Sequence, residues 1–469
     1  MFKKILIANR GEIAVRIIRA CKELGIKTVA IYSKADNNAL HKNLATEAIC
    51  VGDSKSTDSY LNVERILSAA IATGCDAIHP GFGFLSENAS FARLVEKCGL
   101  VFIGPSPDVM EKMGNKAYAI ETMEKVNIPI IPGSHGKVNK EEGKKIADKI
   151  GYPVLIKASM GGGGKGIKKV MNSDEFNELF DLAQEEALKY FSNDEMYVEK
   201  FIEKPRHVEV QVMCDKHGNC IHLFERNCSL QRRNQKMLEE APCQSISEKT
   251  KKALYDSAIR ACKAVGYNSV GTLEFLVDKY ENYYFIEMNT RVQVEHTVTE
   301  AITNVDIIKN MIKIAYGLPL AYKQEDIKLL GHALECRITA EDIINDFRPC
   351  PGKIDFIHTP GGMGVRIDSC VYTGYEISPF YDSMILKIIV FGQSRLECIR
   401  KMRAALEELI IEGVNTTTQF NYLILHHPTF ILGNYDTTFI ESFINELYDN
   451  KTLIEHAVKE LSDNAKRIR

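Results

Sequence analysis

Residues 5–32 read ILIANRGEIAVRIIRACKELGIKTVAIY, and the change of hydrophobic period inside that stretch decides the fold class. Ile5 to Ala8 is a short apolar run, Arg10-Gly11 breaks it, Glu12 to Leu24 carries apolar residues at helical spacing, and Lys27 to Tyr32 is again largely apolar. Strand, helix and strand in that order predict parallel strands joined by a right-handed crossover. The pattern continues through Val63 to Ala72, Ala77-Ile78, a turn at His79-Pro80-Gly81, and Phe91 to Lys97 leading to Val101-Phe102-Ile103. An α/β unit built on a parallel sheet is therefore expected, with its boundary near residue 114.

The 469 residues suggest several packed units. A net charge of -3 rules out a global pull onto nucleic acid or an anionic membrane, so phosphate recognition must be local. The start of the chain lacks the long apolar stretch of a signal peptide, and no segment reaches the ~18 apolar residues that span a bilayer. Thirteen cysteines without a C-x-x-C pair, in a chain too long to need staples, predict reduced thiols and a cytoplasmic protein.

Lys140 to Ile150 and Ser173 to Tyr190 read as amphipathic helices, the first capped by Asn139 and the second opened by an Asn172/Glu175 capping box. Between them the strand Pro153 to Lys157 runs into Met160-Gly161-Gly162-Gly163-Gly164-Lys165-Gly166. Such a loop can bring bare N–H groups against phosphate oxygens, with Lys165 and Lys168 adding charge; a flexible linker is the alternative. It matches neither the Walker pattern nor the dinucleotide fingerprint, because glycine follows Lys165.

His207 to Val212 alternates strictly, placing His207, Glu209 and Gln211 on one strand face, for which a solvated sheet face is the commoner explanation. In the hairpin Gly271 to Arg291, a four-residue turn at Lys279 to Asn282 sets Asp278 opposite Tyr283, Leu276 opposite Phe285 and Glu274 opposite Glu287. Opposed carboxylates among apolar neighbours repel, and a hard cation such as magnesium, shared with phosphates, relieves the conflict. Asn289 lies on the same face; a solvent-facing acidic pair is the alternative. Arg291, Gln293 and Glu295 then alternate with valines, either as an oxyanion site with a carboxylate base or as a surface charge ladder. Cys214, His217, Cys220 and His222 have zinc-binding atoms, but Asp215 to Asn219 is turn chemistry and the spacing is too tight for a zinc knuckle.

With these stretches the chain resembles the biotin carboxylases, which are ATP-grasp enzymes. The resemblance runs from Lys3 to about Phe443 and rests on Ile7-Ala8-Asn9-Arg10-Gly11-Glu12, His79-Pro80-Gly81 with Phe84-Leu85-Ser86-Glu87-Asn88, and Lys157 with its glycine loop. It rests further on Pro205-Arg206-His207-Val208-Glu209, Gln231-Arg232-Arg233, Gln235-Lys236 with Glu239-Glu240-Ala241-Pro242, Glu287-Met288-Asn289-Thr290-Arg291, Gln293-Val294-Glu295-His296 and Glu335-Cys336-Arg337-Ile338. It implies an α/β architecture with a Rossmann-like unit over residues 1–114 and an ATP-grasp unit over 115–330 that carries a mobile lid, 130–202. A C-terminal α+β unit over 331–446 and a helical tail, 447–469, would follow.

The resemblance implies that Lys116 and Lys157 hold ATP phosphates and that Gly163 and Gly164 lie on the lid loop. Glu199, Lys200, Ile202 and Leu276 would border the adenine, with His207 near the ribose and Gln231 and Asn234 completing the nucleotide site. Glu274, Glu287 and Asn289 would bind magnesium or manganese. Bicarbonate would sit among Lys236, Arg291, Gln293 and the Val294 backbone, with Glu295 as its base, and biotin near Arg337 and Phe82. In the implied reaction bicarbonate attacks the γ-phosphate to give ADP and carboxyphosphate, which breaks down to carbon dioxide and phosphate. Phosphate then deprotonates biotin, and Arg337 stabilises the ureido enolate that attacks carbon dioxide.

Four positions depart from the family pattern: Asn234 for histidine, Phe82 for tyrosine, Met160 at the start of the glycine run and Lys165 for arginine. No Met-Lys-Met biotinylation sequence occurs, so a biotin carboxyl carrier protein and a carboxyltransferase are expected as separate chains, with a homodimer as the family's usual state. The first expectation is the biotin carboxylase subunit of acetyl-CoA carboxylase, in fatty acid synthesis. The free-standing subunit of a pyruvate carboxylase comes second, followed by another ATP-grasp ligase and a silent nucleotide-binding scaffold.

Overall fold

In the computed structural model of the chain, β1 (Lys4–Ile7), β2 (Lys27–Ser33), β3 (Glu47–Gly52), β4 (Ala77–His79) and β5 (Val101–Phe102) form a parallel sheet in the order β3-β2-β1-β4-β5. The structure describes residues 1–134, 136–158, 166–191, 194–449 and positions 459, 461, 463 and 466. Helix Gly11–Glu23 buries Ile13, Ile17 and Ile18, which accounts for the periodicity of the opening stretch. Strand order reverses between β1 and β4, and a crevice opens beyond their C-terminal ends. There Asn9 Nδ2 donates to the carbonyls of Pro80 (2.6 Å) and Phe82 (2.7 Å), tying the two loops together. Gly81 sits at φ +63°, and a Cβ there would meet Asn9 Nδ2 at 2.9 Å, so both conformation and closeness require glycine.

A three-stranded antiparallel sheet follows, β6 (Val154–Ala158), β7 (Ile167–Val170) and β8 (Met196–Lys200), in the order β7-β6-β8. Helices Lys140–Ile150 and Phe176–Phe191 cover it, around a core that includes Val154, Ile156, Phe176, Phe180 and Val198. Asn139 and Glu142 form a reciprocal capping box on the first helix. The second helix starts three residues later than the sequence suggests, because Asn172 Oδ1 accepts from the amides of Asp174 and Glu175 and closes a turn ahead of it. Gly163 and Gly164, with the departures Met160 and Lys165, lie outside the described residues, as does most of the tail 447–469.

The largest sheet contains β9 (Arg206–Cys214), β10 (Cys220–Arg232), β11 (Gln235–Ala241), β12 (Val270–Val277), β13 (Tyr283–Asn289), β14 (His332–Thr339), β15 (Val365–Ser369) and β16 (Met384–Gly392). These eight strands run antiparallel in the order β13-β12-β9-β10-β11-β14-β16-β15. One sheet thus carries residues 206 to 392, which is why site residues far apart in sequence meet on one face.

The β12–β13 register corrects the predicted hairpin. The loop has five residues, not four, because Asp278 accepts from the amides of Tyr280 and Asn282 and its own amide pairs with the Asn282 carbonyl. Val277 therefore faces Tyr283 and Leu276 faces Tyr284, and a bulge between Glu274 and Phe275 restores Glu274 opposite Glu287. At the β10–β11 turn Arg233 and Asn234 hold φ of +50° and +66°, the paired left-handed conformation of a two-residue hairpin. Asparagine tolerates that backbone better than most residues, a local reason for Asn234.

The expectation of reduced thiols throughout fails at one pair: Cys214 and Cys220 form a disulfide, since the hairpin sets them directly opposite with Cα atoms 4.1 Å apart. His217 Nε2 pairs with the Gly317 carbonyl and His222 stacks on Tyr255, so both rings have partners other than the cysteines.

Candidate active site

The polar face of β9 is not solvated; His207, Glu209 and Gln211 are all buried against neighbouring strands. Gln293 and Thr299, from the segment that follows β13 and the helix after it, lie over this face, a covering that alternation alone does not reveal. Buried polar groups need partners, and Arg226 on β10 supplies them. Its guanidinium donates to Glu209 (2.5 Å), Gln211 (2.7 Å), Thr299 (2.9 Å), Thr272 (3.1 Å) and Gln293 (2.7 Å). With its oxygen bound by Arg226, the Gln293 carboxamide must turn its NH2 outward, and that NH2 donates to Glu274 at 2.6 Å.

Lys236 on β11 stands at the centre of this face. Its Nζ donates to Glu209 (2.7 Å), Glu274 (3.0 Å) and Glu295 (2.7 Å). Burial alone would strip its proton, but Glu209 and Glu295 outweigh it and hold the ammonium well above its ordinary range. The same balance acts in reverse on Glu295: burial raises the carboxyl, while Lys236, Arg337 and Arg226 keep it ionised far below the usual range. Arg337 reaches Glu295 from β14 at 2.9 Å and also pairs with Glu239.

Glu274, opposite Glu287, is held as a carboxylate by Lys236 and His207 despite its burial, and His207 Nε2 lies 2.8 Å from it. Glu287 faces the cleft, and its carboxyl is raised by desolvation and by Glu274 and Glu87. Asn289 donates to Glu274 (2.9 Å) and accepts from Arg291 (2.8 Å), which also donates to Glu87 at 2.8 Å. Two carboxylates directly opposed across the strands, beside an amide oxygen, are a hard-donor set that fits magnesium. The reading of Arg291, Gln293 and Glu295 as a surface ladder fails, since Gln293 and Glu295 are buried.

A cavity of about 540 Å³ lies between β6, β8, the β10–β11 turn and helix Phe439–Asp449. It is lined by Lys157, Glu199, Lys200, Ile202, Gln231, Asn234 and Leu276. A neighbouring cavity of about 390 Å³ shares Lys157 and Glu199 and adds Lys116. Glu199 links the two lysines, 2.5 Å from Lys157 and 3.8 Å from Lys116. Lys200 turns its Nζ to the carbonyls of Gly151 and Tyr152, both at 2.9 Å, so it can border a base through its main chain.

The crevice at the strand-order reversal forms a third cavity, of about 530 Å³. Its walls include Phe82, Arg10, Phe380, Arg291, Val294 and Arg337. Through Gln235, Arg291, Val294 and Arg337 this cavity borders the Lys236–Glu295 cluster. Sequence reading missed Arg226 and Lys387, the second of which donates to the Val294 carbonyl at 2.5 Å, while Glu239 entered only within its motif, without a role. Glu87 was legible as part of a pattern, without a role.

The chain's first 110 residues match the family model "Biotin carboxylase, N-terminal domain". Residues 115–323 match "Carbamoyl-phosphate synthase L chain, ATP binding domain", and 335–442 match "Biotin carboxylase C-terminal domain". Biotin carboxylase 1 of Bacillus subtilis is 53% identical over 445 residues, covering 94% of this chain and 99% of that protein. A pyruvate carboxylase subunit of Methanothermobacter thermautotrophicus is 49% identical, covering 94% and 90%. Among solved structures, the biotin carboxylase domain dimer of Hydrogenobacter thermophilus 2-oxoglutarate carboxylase, in complex with MgADP, ADP and bicarbonate, is 48% identical with a TM-score of 0.89. That match covers 97% of this chain and 99% of the other. The chain belongs to the biotin carboxylase family.

Proposed function

We propose that this ATP-dependent ligase carboxylates biotin with bicarbonate, and that it is the biotin carboxylase subunit of an acetyl-CoA carboxylase, acting on a separate biotin carboxyl carrier protein and alongside a carboxyltransferase. The observation that carries the reaction is the Lys236 ammonium bonded to Glu209, Glu274 and Glu295 beside the switch-point crevice that Arg291, Val294 and Arg337 line. Lys116 and Lys157 would take the ATP phosphates, and residues 130–202 would close as a lid. Magnesium, held by Glu274, Glu287 and Asn289, would neutralise phosphate charge.

Bicarbonate would lie against Lys236, Arg291, the Gln293 carboxamide and the Val294 amide. An anion arriving there competes for the two cations on Glu295, so that carboxylate becomes more basic as substrate binds. Glu295 would then take the bicarbonate proton while a bicarbonate oxygen bonds to the γ-phosphorus and ADP leaves. The resulting carboxyphosphate gives carbon dioxide and phosphate; phosphate removes the ureido N–H proton, and the nitrogen bonds to carbon dioxide. Arg337, released from Glu295, would hold the ureido oxygen while Phe82 packs against the ring. Without the expected tyrosine hydroxyl, Phe82 offers biotin apolar contact alone.

The acetyl-CoA reading follows the sequence resemblance; among the relatives, a 2-oxoglutarate carboxylase domain and a pyruvate carboxylase subunit stand at similar identity to the proteins named biotin carboxylase. Affinity capture of the tagged chain from its source, followed by assays for malonyl-CoA, oxaloacetate and oxalosuccinate formation, decides among them. We further propose a homodimer, as in the Hydrogenobacter protein, to be checked by light scattering, and a cytoplasmic location; no helix among the described residues is long and apolar enough to cross a membrane.

A further inference from the structure

Lys387 lies in the middle of β16 with a fully buried side chain, and the reaction described above does not use it. Its Nζ donates to the Val294 carbonyl at 2.5 Å and stands 3.3 Å from a Glu12 oxygen and 3.9 Å from a Glu335 oxygen. Titratable and charged groups face it from several elements: Glu12 from helix Gly11–Glu23, Glu335 and Arg337 from β14, the latter directly opposite Lys387, Asp368, itself held by Arg366, from β15, and His296 at the start of helix His296–Thr303. Burial pulls the lysine down, but Glu12, Glu335 and Asp368 outweigh it, so the ammonium persists.

A lysine placed merely to neutralise carboxylates would sit closest to one of them. Lys387 instead makes its shortest contact, 2.5 Å, with a peptide oxygen, while the Glu12 oxygen lies 3.3 Å away. The oxygen belongs to the peptide that joins Val294 to Glu295. The preceding peptide, which carries the Val294 amide, has its Gln293 carbonyl paired with His296 Nδ1 at 2.8 Å. Two consecutive peptide planes are therefore pinned, one presenting the amide and the other leading into the carboxylate of Glu295. Hydrogen bonds to a charged donor are the stronger kind, so the Lys387 contact fixes its plane firmly.

We propose that Lys387 is a positioning residue of the carboxylation site, pinning the Val294–Glu295 peptide so that the Val294 amide and the Glu295 carboxylate address the same bicarbonate, with Glu12 anchoring it to the N-terminal α/β unit. This rests on the bicarbonate placement proposed above. The test uses the full chain with Lys387→Met and the charge-balanced double variant Glu12→Gln/Lys387→Met, because the single change strands buried carboxylates and can unfold the protein. In the double variant the bicarbonate KM should rise about tenfold or more, as expected when reacting groups are misplaced, while the ATP KM stays within about twofold. A double variant that keeps the wild-type bicarbonate KM, or shifts both KM values alike, overturns the proposal. A crystal structure of the double variant adds an arm independent of the assigned reaction: a Val294–Glu295 peptide turned from its wild-type orientation supports the role, and an unchanged one refutes it. Wild-type ADP release that ignores bicarbonate would instead count against the bicarbonate site, leaving the crystallographic arm to decide on Lys387.

Discussion

Glu295→Gln keeps the shape of the proposed base and removes its charge. The cluster around it contains three cations, Lys236, Arg226 and Arg337, and four carboxylates, Glu209, Glu239, Glu274 and Glu295. Each cation that loses Glu295 retains another anion: Lys236 keeps Glu209 and Glu274, and Arg337 keeps Glu239. The variant thus gives up two charge-assisted hydrogen bonds, at 2.7 and 2.9 Å. Since the amide oxygen still accepts one of them, the net loss of stability should be about 1–2 kcal/mol. Loss of a general base costs about 10²- to 10⁴-fold in rate. Bicarbonate-dependent ADP release at saturating substrate should fall at least a hundredfold (~10²) with the ATP KM nearly unchanged, and urea denaturation should show a folded protein. A kcat within a few-fold of wild type at saturating bicarbonate would remove Glu295 from the proton-transfer role.

Other residues give further expectations. Arg226→Lys leaves at least two of five acceptors without a donor, so it should destabilise the chain by roughly 3–6 kcal/mol in denaturant titration and weaken bicarbonate more than ATP. Glu240 is pushed up by burial, but His332 and Arg395 outweigh that and hold it at about 2. A carboxyl lowered in the folded state contributes stability above its unfolded pKa near 4.5 and loses it as pH falls towards 2. Glu240→Gln should therefore cost roughly 3 kcal/mol at neutral pH, a difference that shrinks below about pH 4 and is read from paired unfolding curves. Asn234→His should tighten ATP a few-fold by stacking at the nucleotide cavity while lowering the thermal midpoint slightly, because histidine fits φ +66° less well.

The doubly wound sheet was legible because the change of hydrophobic period in residues 5–32 is a local signal, and helix Lys140–Ile150 was legible to its ends because Asn139 and Glu142 cap it locally. Glu274 opposite Glu287 came out correctly from an incorrect loop length, since a bulge compensates for the extra turn residue and bulges leave little trace in composition. The buried face of His207, Glu209 and Gln211 could not be told from a solvated one, because alternation reveals which residues share a face and not what covers it. Arg226 and Lys387 escaped notice for a related reason: their partners lie far along the chain, Thr299 73 residues from Arg226 and the Val294 carbonyl 93 residues from Lys387, and only the tertiary fold joins them. The Cys214–Cys220 bond is likewise a consequence of hairpin register.

The central claim is that one cluster couples ATP cleavage to bicarbonate and biotin. The direct test is ADP release by the purified chain with magnesium and ATP, with bicarbonate and free biotin each added or left out. Turnover that requires bicarbonate and rises with biotin is the predicted result; ATP cleavage indifferent to both would contradict the account.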